Sequence, residues 1–326
     1  MTELRHRFVT ANGIRLHIAE RGAGPLVVLC HGFPESWYSW RRQLPALADA
    51  GFRAVAPDMR GYGQTDRPHE VDQYTIFHLV GDMVGLLDAL DCERAVIVGH
   101  DWGAVVAWHA ALLRPDRFRA VVGLSVPFWP RGVARPMTVM PRTEHSMFYW
   151  LYFQTPDVPE AELERDVRQT MRRILYSASG DAARERGSGG APDGVGMVSK
   201  DAGFLGRMVD PISLPPWLHE ADIDYFAGEF ARTGFRGALN WYRNIDRNWE
   251  LLAPYTGASV SVPALYVTGE RDLVNAFPRM DHLRPHMQKY VPHLRRTLVL
   301  PGCGHWTQQE RPEDVTAALL EFLRSV

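Results

Sequence analysis

The chain has 326 residues, of which 46% are hydrophobic and 23% are charged, an ordinary globular composition. The 36 Lys and Arg residues nearly balance 38 Asp and Glu residues, and the net charge of −2 gives no basic surface for nucleic acid or an anionic membrane. Residues 1–7 lack the apolar stretch of a signal peptide, and no apolar run is long enough to span a membrane. Three cysteines without close pairing predict free thiols and a cytoplasmic protein.

Strands and helices alternate along the first part of the chain. Apolar alternation around Asn12-Gly13 predicts a hairpin over 7–20. Further strands are predicted at 25–30, 53–57, 95–98 and 120–125, with helices ending at Leu47, spanning Thr75 to Leu90, and following Gly103. This order predicts a mostly parallel sheet with flanking helices.

The alternation stops after Pro127 and returns near residue 262. Helices are predicted over 160–173 and 220–232, with a flexible loop at 187–194 between them. Strands at 262–268 and 296–300 and a helix at 312–326 complete the chain. We therefore expect an α/β core made of residues 1–127 and 256–326, with residues 128–255 inserted as a helical cap.

The turn Gly99-His100-Asp101-Trp102-Gly103 follows one predicted strand and opens a helix. A strand, a turn with small residues and a helix form a nucleophile elbow, in which the central side chain is exposed for reaction. Here that side chain is the carboxylate of Asp101, which attacks carbon to give an ester and favours alkyl transfer over amide cleavage. The plain alternative is that Asp101 only caps the helix.

Two further polar groups follow later strands, as Asp272 in Gly269-Glu270-Arg271-Asp272 and His305 after Gly304. Sites in open parallel sheets gather at the carboxyl ends of strands, and the order nucleophile, acid, base is that of an α/β-hydrolase. Asp272 would orient the imidazole, and His305 would activate water. Singly, these residues could be a turn aspartate and a capping or core histidine.

The turn His31-Gly32-Phe33-Pro34 follows another strand. The backbone N–H groups of Phe33 and Trp102 can together form an oxyanion hole. The alternative is an ordinary proline turn after a strand, but its combination with a nucleophile elbow in the same chain favours the oxyanion hole.

Several stretches resemble the epoxide hydrolases of the α/β-hydrolase superfamily. They are the turns already described, the run from His31 to Trp37, Asp58-Met59-Arg60-Gly61-Tyr62-Gly63, Gly302-Cys303-Gly304-His305-Trp306, and the cap stretches 148–154 and 239–244. The resemblance implies that two cap tyrosines, Tyr149 and Tyr242, bind the epoxide oxygen. Tyr152 competes with Tyr149, but Tyr149 opens the Tyr-x-x-Tyr-Phe-Gln run as the family's tyrosine does.

By the same resemblance, the carboxylate opens an epoxide and water activated by the histidine releases a vicinal diol. Phenol groups suit this reaction because they can give a proton to the alkoxide that forms. The apolar substrate pocket is expected to include His31, Pro34, Trp37, Trp150 and Trp306. No cofactor or metal is required, the partner is a small apolar epoxide, and a homodimer is possible.

Two other functions fit part of the pattern. A haloalkane or haloacetate dehalogenase also uses an aspartate nucleophile, but its halide leaving group needs no proton, so the tyrosine pair favours the epoxide. A non-catalytic binding protein on the same scaffold would have no need of nucleophile, acid, base and oxyanion turn together.

Overall fold

The computed structural model describes residues 3–182 and 194–326. Its main sheet is built from these strands: β1 Arg5–Ala11, β2 Ile14–Arg21, β3 Leu26–Cys30, β4 Arg53–Pro57, β5 Ala95–His100, β6 Phe118–Leu124, β9 Ala264–Gly269 and β10 Leu294–Leu300. The spatial order is β1-β2-β4-β3-β5-β6-β9-β10. This confirms the predicted α/β class and each of the predicted strands.

Strand pairing explains where the site lies. β1 and β2 pair antiparallel, as do β2 and β4, whereas the other neighbours are parallel. β5 is central, with Gly99 opposite Cys30 on one side and Gly123 on the other. The carboxyl ends of these parallel strands therefore meet at one edge, where the chain enters its turns.

Helices cover both faces of the sheet. One layer contains α2 (Ile76–Ala89) and α3 (Trp102–Leu113), and the other contains α1 (Gln43–Asp49) and α13 (Pro312–Arg324). The central strands are buried on both faces, so Val28 packs in the first layer and its neighbour Val27 in the second. This double burial accounts for continuous apolar strands rather than alternating ones.

The segment between β6 and β9 contributes no strand to the main sheet within the described ranges. Its helices are α4 Pro136–Val139, α5 Tyr149–Tyr152, α6 Val158–Leu163, α7 Val167–Ser177, α8 Glu220–Thr233, α9 Arg236–Arg243 and α10 Ile245–Leu251. After β9, α11 (Met280–Leu283) and α12 (Thr307–Glu310) precede α13. The division at 127 and 256 stays a prediction.

Two details of this segment differ from the sequence prediction. The helix predicted over 160–173 is two helices, because Asp166 has non-helical φ and ψ of −145° and 89° and caps α7 by accepting from the N–H of Gln169. A short antiparallel pair was not predicted at all: β7 (Ser146–Phe148) lies beside β8 (Met197–Ser199). The predicted loop at 187–194 lies outside the described residues up to position 193.

All three cysteines are free, as predicted, and Cys30 and Cys303 are buried. Among the described residues, none of the helices combines the length and apolarity that crossing a membrane requires.

Candidate active site

Asp101 stands at the turn between β5 and α3 with φ of 53° and ψ of −121°. A positive φ is strained for a residue with a side chain and costs on the order of 1–3 kcal/mol. Glycines make the turn possible, because a Cβ at Gly99 would collide with the Gly103 carbonyl and one at Gly103 with the Cys30 carbonyl. A Cβ at Gly32 would collide with the Asp101 carboxylate itself. The three glycines hold the carboxylate against the loop after β3.

The two oxygens of Asp101 have different surroundings. Oδ1 accepts a hydrogen bond of 2.8 Å from the backbone N–H of Phe33. Oδ2 lies 3.5 Å from Nε2 of His305. Trp102 is the first residue of α3, where backbone N–H groups have no partner in the helix. Oδ1 therefore lies at the Phe33 half of the expected oxyanion hole, whereas Oδ2 lies on the side of His305.

His305 lies between two carboxylates. Its Nδ1 is 3.1 Å from Oδ1 of Asp272 and 2.9 Å from Oγ of Ser125. Its backbone carbonyl accepts from Nε2 of His100 at 2.8 Å. The imidazole is thus held at Nδ1 with Nε2 directed at Asp101, and the backbone of His305 is held by His100.

The charges of His305 and Asp101 strongly affect each other's pKa. Burial lowers the pKa of His305, but the charges and hydrogen bonds of Asp272 and Asp101 more than offset it and raise the value to about 10. Burial raises the pKa of Asp101, yet the adjacent His305 outweighs this effect and the net direction is down. In the free protein, His305 is therefore protonated and Asp101 ionised.

The rings of Tyr149 and Tyr242 pack edge to face, with centroids 5.8 Å apart. Both line one cavity together with Asp101 and His305. Burial is the main reason that the pKa of each phenol lies above its ordinary value, and the charge of Asp101 adds to the effect. Both tyrosines therefore remain protonated and can donate hydrogen bonds.

Gln154 connects the two tyrosine-bearing segments. Its Nε2 donates to the Trp150 carbonyl at 2.9 Å and to the Tyr242 carbonyl at 3.0 Å. Tyr152, the competing candidate for the first tyrosine, instead donates its hydroxyl to Glu162 at 2.6 Å and lines neither described cavity. This geometry supports the choice of Tyr149.

Two cavities meet at the nucleophile. A larger one of about 510 Å³ is lined by His305 and Trp306, and a smaller, mainly apolar one of about 200 Å³ by Trp150. Asp101 and Tyr149 line both. An epoxide at the carboxylate could therefore place one substituent in each cavity.

Three of the five residues expected in the pocket lie outside the lining that the described residues form, which corrects that expectation. His31 is fully buried, and its Nε2 accepts from the N–H of Met59. Trp37 donates its indole N–H to the hydroxyl of Tyr225. Pro34 follows Phe33 through a cis peptide bond. These residues shape the loop that carries the Phe33 N–H.

Ser125, Gln154 and Glu310 were not predicted as site residues from the sequence. Glu310 is the last residue of α12 and accepts from the N–H groups of Gly304, Trp306 and Gly180. Ser125 is the last residue of the strand predicted at 120–125, and this place at a strand end is the signal that could have identified it. Gln154 belonged to the quoted Tyr-x-x-Tyr-Phe-Gln run, whereas Glu310 carried no comparable signal.

Known proteins resemble this chain in sequence and in structure. Residues 25–312 match the family described as having the alpha/beta hydrolase fold. Epoxide hydrolase A of Mycobacterium tuberculosis is 48% identical, over 97% of this chain and 96% of that protein. The crystal structure of epoxide hydrolase A from Mycobacterium thermoresistibile is 45% identical with a TM-score of 0.89, covering 99% of this chain and 98% of the other. An epoxide hydrolase from an endophytic Streptomyces is 44% identical, with a TM-score of 0.91 and coverage of 98% and 95%. The chain therefore belongs to the epoxide hydrolases of the α/β-hydrolase fold.

Proposed function

We propose that the chain hydrolyses epoxides to vicinal diols through a covalent ester on Asp101. The observation that carries this proposal is the convergence of an ionised carboxylate, a protonated imidazole and two protonated phenols on one cavity. The names of the similar proteins support an epoxide as substrate.

In the first step, Oδ2 of Asp101 attacks an epoxide carbon and the carbon–oxygen bond breaks. The electron pair of that bond goes to the epoxide oxygen, where Tyr149 and Tyr242 donate hydrogen bonds and one of them gives up its proton. Esterification removes the negative charge of Asp101, so one of the two groups that raise the pKa of His305 is lost. His305 can then release its proton, which restores the phenol and leaves a neutral imidazole.

In the second step, neutral His305 takes a proton from water, which attacks the carbonyl carbon of the ester. Negative charge develops on Oδ1, the oxygen that the Phe33 N–H already contacts. When this intermediate collapses, the bond between the carbonyl carbon and the diol oxygen breaks and that oxygen takes the remaining proton of the attacking water. The diol is released, Asp101 is again a carboxylate and His305 is again protonated. Asp272 and Ser125 act by holding the imidazole in the required orientation.

A dehalogenase with the same nucleophile is the second candidate. A halide ion leaves without a proton, so it gains little from two phenols whose pKa values are raised. The protonated pair at the cavity thus favours epoxide opening over halide release. We also propose a cytoplasmic location, which the free cysteines support, and keep a homodimer as a prediction.

A substrate panel tests the proposal. The purified protein is given matched styrene oxide-type epoxides and haloalkanes, and diol and halide are quantified. Diol formation by the wild type that is lost in Asp101→Ala supports the proposal. The melting temperature of the variant must show that it is still folded. Halide release without epoxide turnover would replace it with the dehalogenase.

A further inference from the structure

The smaller cavity contains a polar group that the reaction does not use. Its lining is largely apolar and includes Val105, Val126 and the indole rings of Trp129 and Trp150. His109 also lines this cavity and is only 9% exposed. A histidine in such surroundings needs a hydrogen-bonding role, because leaving a buried polar group unpaired is costly.

The tautomer of His109 follows from its contacts. Nδ1 lies 2.8 Å from the carbonyl oxygen of Val105, one turn earlier in α3. A carbonyl can only accept, so Nδ1 carries the proton. Burial lowers the pKa of His109, although the bond to Val105 opposes the effect, and the ring is therefore neutral. Nε2 is then an acceptor with a free lone pair, and no group in the described ranges donates to it.

Among the other polar side chains of this cavity, the buried indole N–H of Trp150 has no hydrogen-bond partner in the described ranges, but it can only donate. Asn248 accepts from the backbone N–H of Ile76, and Arg131 donates to the Trp249 carbonyl. Arg279 is exposed. Nε2 of His109 is thus the distinctive acceptor that the described residues offer to a molecule in the smaller cavity.

The distance between Asp101 and His109 limits the length of a substrate substituent that can reach from one to the other. Asp101 immediately precedes α3, and His109 lies eight residues later, which corresponds to about 12 Å of helix rise. Helical side chains lean toward the N-terminus, so the ring is closer to Asp101 than its own Cα is. A substituent shorter than about 12 Å can connect an epoxide at Asp101 to Nε2.

We propose that His109 determines substrate specificity by accepting a hydrogen bond from a hydroxyl group on the substituent that occupies the smaller cavity. This inference rests on the proposed epoxide hydrolysis and adds a substrate class to it: epoxides that carry an alcohol several bonds away from the ring. An alkyl substituent of the same length leaves Nε2 unpaired. Sites built to bind a hydroxyl discriminate against analogues that lack it for this reason.

The experiment uses pairs of terminal epoxides of increasing chain length, each pair ending in either a hydroxyl or a methyl group. The ratio of kcat/KM for hydroxyl over methyl is measured for wild type, His109→Phe and His109→Gln. Phe keeps a planar ring without the acceptor, whereas Gln keeps an acceptor. Comparing ratios between variants cancels the intrinsic difference in hydration between the two substrates.

We expect the wild-type ratio to exceed that of His109→Phe by about tenfold, the size of one neutral hydrogen bond. The excess should peak at one chain length, and His109→Gln should recover part of it, neither of which a purely structural role predicts. Equal ratios in wild type and His109→Phe at every length would overturn the inference. If His109→Phe does not fold, His109→Leu takes the same test.

The two proposals fail in different ways. If wild type hydrolyses the methyl substrates but its preference for the hydroxyl substrates is the same as that of His109→Phe, only the specificity inference is wrong. If wild type hydrolyses no epoxide of the series, the proposed function itself is wrong.

Discussion

Nε2 of His305 lies 3.5 Å from Oδ2 of Asp101, so the base and the nucleophile form an ion pair before substrate binds. The pKa of about 10 for His305 depends on this contact and on Asp272. An imidazolium cannot accept a proton from water. In the proposed mechanism, His305 can deprotonate water only after alkylation has neutralised Asp101, so ester hydrolysis follows ester formation.

The first prediction concerns loss of the base. His305→Gln should form the ester on Asp101 but hydrolyse it very slowly, because no group remains to deprotonate water. Mass spectrometry of the peptide containing Asp101 should show the mass of the bound substrate. His286→Gln, a change at an exposed histidine, is the control and should accumulate no adduct. An unmodified Asp101 in a folded, substrate-binding His305→Gln protein would contradict this role.

The second prediction concerns the phenols. Tyr149→Phe and Tyr242→Phe should each slow alkylation of Asp101 by on the order of 10²–10³, the usual effect of removing one such donor. Because both phenols serve one oxygen, their effects should not simply add, and the double variant should be nearly inactive. Single-turnover alkylation is the measurement.

Tyr152→Phe is the matched control for these variants, since its hydroxyl is bound to Glu162. It should keep near-normal alkylation. Epoxide opening that survives in the double Tyr149→Phe, Tyr242→Phe variant, or that depends on Tyr152 instead, would overturn the tyrosine assignment.

The third prediction concerns Glu310, whose Oε2 accepts from Gly180 and Gly304 and whose Oε1 accepts from Trp306 at 3.0 Å. In Glu310→Gln, an amide NH₂ replaces one acceptor oxygen and leaves at least one buried N–H unpaired. We expect a loss of about 1–3 kcal/mol in the free energy of unfolding.

The Glu310→Gln change should also slow both chemical steps, because the bonded loop carries His305. Denaturant unfolding and single-turnover kinetics check the two effects, with Glu313→Gln, at an exposed position, as control. Unchanged stability and kinetics would show that Glu310 does not support the loop.

The fourth prediction is a pH dependence of stability. Folding raises the pKa of His305 from 6.5 to about 10, so the folded state binds this proton more tightly than the unfolded state does. The contribution is complete below pH 6.5 and is lost as the pH rises through about 10. The free energy of unfolding should therefore fall more between pH 6.5 and pH 10 in wild type than in His305→Gln. Parallel curves for the two proteins would contradict the raised pKa.

The sequence predicted the strands and the order of Asp101, Asp272 and His305 because apolar runs mark strands, and parallel strands bring their carboxyl ends together. It placed Ser125 at a strand end but could not show that Ser125 or Glu310 bonds to the site, because hydrogen bonds between distant segments depend on side-chain direction. The same limit explains Trp37, which contacts Tyr225 rather than the cavity.

The break in the predicted helix at 160–173 has a local cause. Its composition favours one helix, but Asp166 competes by bonding the N–H of Gln169 and starts a second helix there. The spacing of apolar residues gives no information on such a competing hydrogen bond. The β7–β8 pair is likewise too short for alternation to reveal it.

The most direct test of the central claim is a single turnover in heavy-oxygen water, with the protein in excess over a terminal epoxide. If Asp101 forms an ester and water attacks its carbonyl carbon, the diol takes its new oxygen from the protein. The label should then appear in the Asp101 peptide and be absent from the first diol released. Label in that first diol, with an unlabelled Asp101, would mean that water attacks the epoxide directly.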